Sequence, residues 1–148
     1  MDRIRKLLNL PQNERWLLVK AAALLASIRL ALRLLPFSYA RRVLRWVSHP
    51  SRRLSANPIS VERIAWAVNL ASRFVPGAGH CLTQALAGQV LLIRRGYPAE
   101  VRFGVLRDSE KSNFMAHAWV ESNGVVVIGG TDVNSRYVRL NSWADPIP

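Results

Sequence analysis

Apolar positions along the chain follow two periods, and the change between them divides it. Up to Gly96 they recur at the three- and four-residue spacing of a helix face. After Pro98 they alternate, one in and one out, as a strand does. A short helix is predicted over residues 2–9, stopped by Pro11. A long one, capped by Asn13, runs to about Leu35 and ends at Pro36. A third covers Ser38–Val47. "SHPSRRLSANPIS" (Ser48–Ser60) reads as a loop, and Ser60 caps a helix whose apolar face is Val61, Ile64, Ala65, Val68, Ala71 and Val75. "PGAG" breaks that helix. The next runs from about Cys81 and stops near Gly96.

In "EVRFGVL" the alternation puts Val101, Phe103 and Val105 on one face. "RDSEKSN" is a polar loop. "FMAHAWVE" and "VVVIGG" flank Ser122-Asn123-Gly124, and Asn-Gly is the strongest short hairpin signal. "RYVRL" adds a last short strand. Helices followed by an antiparallel sheet predict an α+β fold.

Charge changes the picture in the first third only. Residues 1–57 hold 12 Lys/Arg and 2 acids, a balance of +10; residues 58–148 hold 9 and 7, a balance of +2. The expected division is a basic helical portion, 1–57, and a core, 58–148. The basic part should attract an acidic peptide, a nucleic acid or a membrane surface, and a solvated basic surface is the plainer reading. No nucleic-acid motif is present, so no nucleic-acid partner is expected. Trp16–Leu35 has the length of a membrane span, but Arg29 and Arg33 lie well inside it, and each costs roughly 2.5–3.5 kcal/mol at mid-bilayer. The segment reads as a buried or partner-covered helix. A peripheral membrane contact stays open without being predicted.

The chain has one cysteine, Cys81, which excludes an intrachain disulfide and a cysteine-based zinc site. No metal or cofactor is expected. With no recognisable signal peptide, the expected location is cytoplasmic. Most lone cysteines are small core residues. A nucleophilic one needs a base and a group that orients the base. Cys81 falls at a predicted helix start, where free N–H groups and the helix dipole favour a thiolate. His117 is the best-placed base, on a predicted strand. His80 adjoins Cys81, but neighbouring side chains at a helix start diverge, and His49 lies in the basic loop.

Strand arithmetic points to Asp132 as the orienter. A two-residue turn at Asn123-Gly124 pairs Ser122 with Val125 and sets His117 opposite Gly130. Asp132 then shares the His117 face one diagonal step away, and a bulge at Gly129-Gly130 would bring it directly opposite. Glu121 shares the face too, but lies about 13 Å along the same strand. Trp119 shares it as a wall of the site or as a core aromatic. Standing alone, Asp132 could equally be a turn residue in "GGTDVNS".

The order of Cys on a helix start, His on a strand and Asp on the next antiparallel strand resembles the transglutaminase-like, papain-like cysteine enzymes. "VERIAWAVNLASRFVPGAGHCLTQALAGQVLLIRRGYPAEVRFGV" followed by "FMAHAWVESNGVVVIGG" resembles the protease domain of lasso peptide biosynthesis B proteins. The resemblance implies a helix bearing the cysteine, packed on a small antiparallel sheet. It implies a cysteine endopeptidase that removes the leader from a ribosomally made precursor. The implied partners are that precursor, a separate leader-recognition protein and a macrolactam synthetase. Carried over, Cys81 is the nucleophile, His117 the base and then acid, and Asp132 the orienter. The acid comes two residues later than the family pattern places it. The competing readings are a non-hydrolytic acyltransferase or an inactive peptide-binding module of the same fold. A basic helical protein that binds membranes or nucleic acid is a third.

Overall fold

The computed structural model describes residues 9–50, 58–77, 80–106, 115–130 and 133–140. Among them, helices α1 (Gln12–Leu34), α2 (Phe37–Val47), α3 (Val61–Ser72) and α4 (Cys81–Arg94) precede the sheet. Strands β1 (Glu100–Leu106), β2 (Ala116–Ser122) and β3 (Val125–Ile128) follow, then a one-turn helix α5 (Val133–Arg136) and strand β4 (Tyr137–Arg139). This is the α+β order expected from the change of period. The helix expected over residues 2–9 and the polar loop after β1 lie outside the described residues, apart from Asn9, which sits in a turn.

Pro11, and not Asn13, occupies the cap position of α1. Its carbonyl accepts from Glu14 N at 2.9 Å and Arg15 N at 3.1 Å, while the Asn13 carboxamide only backs Glu14 N at 3.0 Å. A proline has its φ preset for helix entry, so the helix starts ahead of the expected cap. At α3 the expected cap is present: Ser60 Oγ accepts from Arg63 N at 3.3 Å.

The inward face of α1 carries Leu17, Ala21, Leu25 and Ile28, all buried. They share one core with Ile64 and Val68 of α3, Leu92 of α4, and Ala118, Val120 and Ile128 of the sheet. Each fully buried Leu or Ile is worth about 1.5–3 kcal/mol. The seam expected near residue 57 falls within residues 51–57, outside the described residues, and the helices on either side of it feed the same core. No helix among the described residues is long and apolar enough to cross a membrane.

The sheet order is β3-β2-β1-β4, antiparallel throughout. Asn123 (φ 51°) and Gly124 (φ 79°) make the expected two-residue turn, with Ser122 opposite Val125. The uniform register expected beyond it does not hold. Glu121 pairs with Val126 but Val120 pairs with Ile128, so Val127 is an extra residue in β3. The irregularity lies ahead of the two glycines, and paired strand ends at Ile128. His117 therefore does not face Gly130.

Alternation along β2 gives the sheet two distinct faces. Ala118 and Val120 point into the helix-covered core, and a Cβ on Gly88 of α4 would run into Ile128 and touch Val120. His117, Trp119 and Glu121 point to the opposite face.

Candidate active site

Cys81 is the first residue of α4 and half-buried. His80 caps the helix by position only, with no side-chain hydrogen bond to it. The first helical bond is Gln84 N to His80 O at 3.2 Å. The amides of Cys81, Leu82 and Thr83 therefore have no acceptor within the helix. Free N–H groups at the positive end of a 14-residue helix are the donor set that a developing oxyanion needs.

Arg29, the cation inside the apolar stretch of α1, reaches the same neighbourhood. Its guanidinium packs on the backbone of Gly77, where an added Cβ would lie 2.7 Å from Nε and Nη2. Gly77 is four residues ahead of Cys81 in the chain. The charge that argued against a membrane span thus lies against the turn that follows α3.

His117 is half-buried on β2, opposite Gly104 of β1. Its ring stacks on Tyr137 at 5.1 Å between centroids and 27° between planes, and on Trp119 at 6.3 Å and 24°. Its Nε2 lies 2.7 Å from the Gly129 carbonyl oxygen. A carbonyl only accepts, so Nε2 carries the proton, and in the neutral ring Nδ1 is the basic atom. The group that orients the imidazole in this structure is therefore a main-chain carbonyl, which side-chain reasoning had no means to find.

Trp119 is fully buried, and its indole N–H donates to Glu121 Oε1 at 2.9 Å. Glu121 is buried as well. Arg139 donates to the same oxygen at 2.6 Å, and Arg102 Nε stands 3.4 Å from the other. Arg102 also pairs with Glu100. A buried carboxylate is tolerated when paired in this way. The distance along β2 that argued against Glu121 as a direct partner of His117 is real, but Glu121 reaches the imidazole through Trp119. The signal was present in "HAWVE", where His, Trp and Glu alternate onto one face.

The residues singled out in the sequence are thus brought together unequally. The structure joins His117 to Gly129, Trp119 and Tyr137. It packs α4, headed by Cys81, on β2, with Cys81 against the shared core. Among the described residues no hydrogen bond links Cys81 to His117, whose ring stacks on the sheet face away from α4. Asp132 lies outside the described residues, as does any test of its orienting role.

The profile of the Transglutaminase-like superfamily matches residues 22–142. The match takes in most of the chain, from within α1 to beyond β4, and the chain belongs to that superfamily. Cysteine proteases and acyltransferases are among its members. No curated protein and no solved structure matches the chain.

Proposed function

We propose that the chain is a cysteine endopeptidase that removes the leader peptide from a ribosomally made lasso precursor. In this reading it works in the cytoplasm with a separate leader-recognition protein and ahead of a macrolactam synthetase. The observation that carries it is Cys81 as the first residue of a helix whose first amides have no acceptor within the helix, packed on the strand that bears His117, in a chain of the Transglutaminase-like superfamily. The "LLIRRGYPAEVRFGV" and "HAWVE" runs supply the narrower assignment.

In the proposed mechanism the His117 ring first leaves the face away from α4; the Cys81 thiol then gives its proton to that imidazole and the sulfur attacks the scissile carbonyl. The amides at the start of α4 receive the oxyanion. Collapse of the intermediate breaks the C–N bond, and His117 returns the proton to the departing amine, which is the new N-terminus of the core peptide. Water, deprotonated by the same imidazole, then releases the leader from the thioester. Asp132 is the proposed side-chain orienter, a role additional to that of the Gly129 carbonyl.

The His117 ring, engaged on the face away from α4, favours the second reading, a non-hydrolytic acyltransferase or an inactive peptide-binding module. One experiment separates the two. The protein is mixed with its co-encoded precursor and recognition protein, and products are followed by mass spectrometry for wild type, Cys81→Ala, His117→Ala and Asp132→Ala. Leader release that vanishes with the first two changes supports the peptidase. A severe loss in Asp132→Ala assigns the orienter, and near-wild-type activity leaves that role to Gly129. Cleavage that survives Cys81→Ala, or no cleavage with any partner, removes the peptidase reading.

A further inference from the structure

A cleft of about 1070 Å³ opens between α2 on one side and α4 with the start of β1 on the other. Its α2 wall carries Arg41, Arg42 and Arg45, and its floor includes Leu86 and Ile93 of α4 and Phe103 of β1. Trp46, 75% exposed, stands at its rim. α2 contains no acidic residue, and among the described residues none of its three arginines is ion-paired. The one acid among the described residues lining the cleft, Glu100, is paired with Arg102. A concave apolar floor beside unpaired guanidinium groups matches a peptide with carboxylates on one side and aliphatic side chains on the other. A lipid surface would call for a convex face. Nucleic acid would call for a row of open stacking platforms, and of the Phe, Trp and Tyr rings among the described residues lining this cleft only Trp46 is exposed.

The cleft shares α4 with Cys81. Leu86 and Ile93 lie five and twelve residues beyond it, a rise of about 8 and 18 Å along the axis. Allowing for the turn around the helix, about four to six residues of extended chain span that gap.

We propose that this cleft is an exosite that holds an acidic, amphipathic segment of the peptide substrate while the segment's neighbour lies at Cys81. The assignment of the occupant rests on the peptidase reading. The occupied cleft raises the local concentration of substrate at the thiol without adding a contact at the scissile bond.

The lone thiol supplies a test that needs no cleavage. A synthetic peptide carries a Glu/Leu segment and, about five residues away, a chloroacetamide. Cys81 Sγ displaces chloride to form a thioether, the thiol proton goes to buffer, and the intact mass reports the adduct. The full wild-type chain should be alkylated about tenfold faster by this peptide than by its Gln/Leu counterpart. The advantage should fall with added salt and disappear in Arg41→Glu/Arg45→Glu. Arg15→Glu/Lys20→Glu, with the same charge change on exposed residues of α1 outside the cleft, should keep it. Equal rates for the two peptides, an advantage that survives Arg41→Glu/Arg45→Glu, or its loss in the α1 control would overturn the exosite. So would an RNA oligonucleotide or anionic phosphatidylglycerol vesicles that block the acidic peptide at lower concentration than a second acidic peptide does. Selective alkylation in a chain that cuts no precursor would retain the cleft and remove the peptidase. Cleavage without selective alkylation would do the reverse.

Discussion

The imidazole of His117 donates its Nε2 proton to the carbonyl oxygen of Gly129, 2.7 Å away. That single bond assigns the tautomer and leaves Nδ1 as the atom able to take a proton. The expected outcome in a long-range proton–nitrogen NMR spectrum of the neutral ring is a protonated Nε2. A ring protonated at Nδ1 would contradict the arrangement.

Gly129 has φ +111°, and an added Cβ would lie 2.5 Å from Trp119 Cβ and 2.9 Å from its Cα. Gly129→Ala therefore combines backbone strain with a clash against a buried neighbour. A loss of about 1–3 kcal/mol is expected, read from urea unfolding midpoints. Gly130, where a Cβ meets nothing within 4 Å, should show the conformational part alone.

Removing the carboxylate of Glu121 takes the acceptor from the Trp119 indole and one ion-pair partner each from Arg139 and from Arg102, which keeps Glu100. Both arginines reach water, so the cost is below that of a fully buried pair. Glu121→Ala should lose about 1–3 kcal/mol. Glu121→Gln, which keeps an acceptor for the indole, should lose less. Near-ultraviolet circular dichroism of Trp119 would report the loosened ring in the alanine variant.

Leu25 is fully buried on the inward face of α1. Leu25→Ala should destabilise the whole domain by about 2–5 kcal/mol, with one cooperative transition. A transition in which only part of the signal moves would mean that α1 unfolds apart from the core.

Ser60 caps α3, and the Glu62 carboxyl is held below its ordinary range by its own backbone amide and, next, by the Ser60 hydroxyl. An acid lowered in the fold adds stability above its unfolded-state pKa and loses that part as pH falls through the folded value. Ser60→Ala should cost about 1 kcal/mol near neutral pH. The deficit should shrink in acid, where Glu62 is protonated in both proteins. A deficit that grows toward low pH would contradict the assignment.

The period of the apolar positions made the element order legible, because helix faces and strand faces bury side chains at spacings set by local geometry. The Asn123-Gly124 turn was legible for the same reason: its positive φ values belong to those residue types. The extra residue at Val127 was not, since a bulge answers to tertiary packing, here with Ile128 seated against Gly88 of α4, and not to residue type. That one-residue slip is also why strand arithmetic failed beyond Glu121. The Gly129 carbonyl left no trace in the residue types, because every residue has one. Glu121 was visible but set aside on distance, before Trp119 was known to connect it to His117. The Arg29 charge was legible as an obstacle to a membrane span and became intelligible only beside Gly77.

A hydrogen bond accepted by the main chain has a consequence for how this site is read by genetics. No side-chain replacement deletes the Gly129 oxygen, so a saturation scan would score that position as a steric constraint and miss its chemistry. An amide-to-ester exchange at the Gly129–Gly130 linkage keeps every side chain and weakens that oxygen as an acceptor. Only a change to the backbone of that kind addresses the bond.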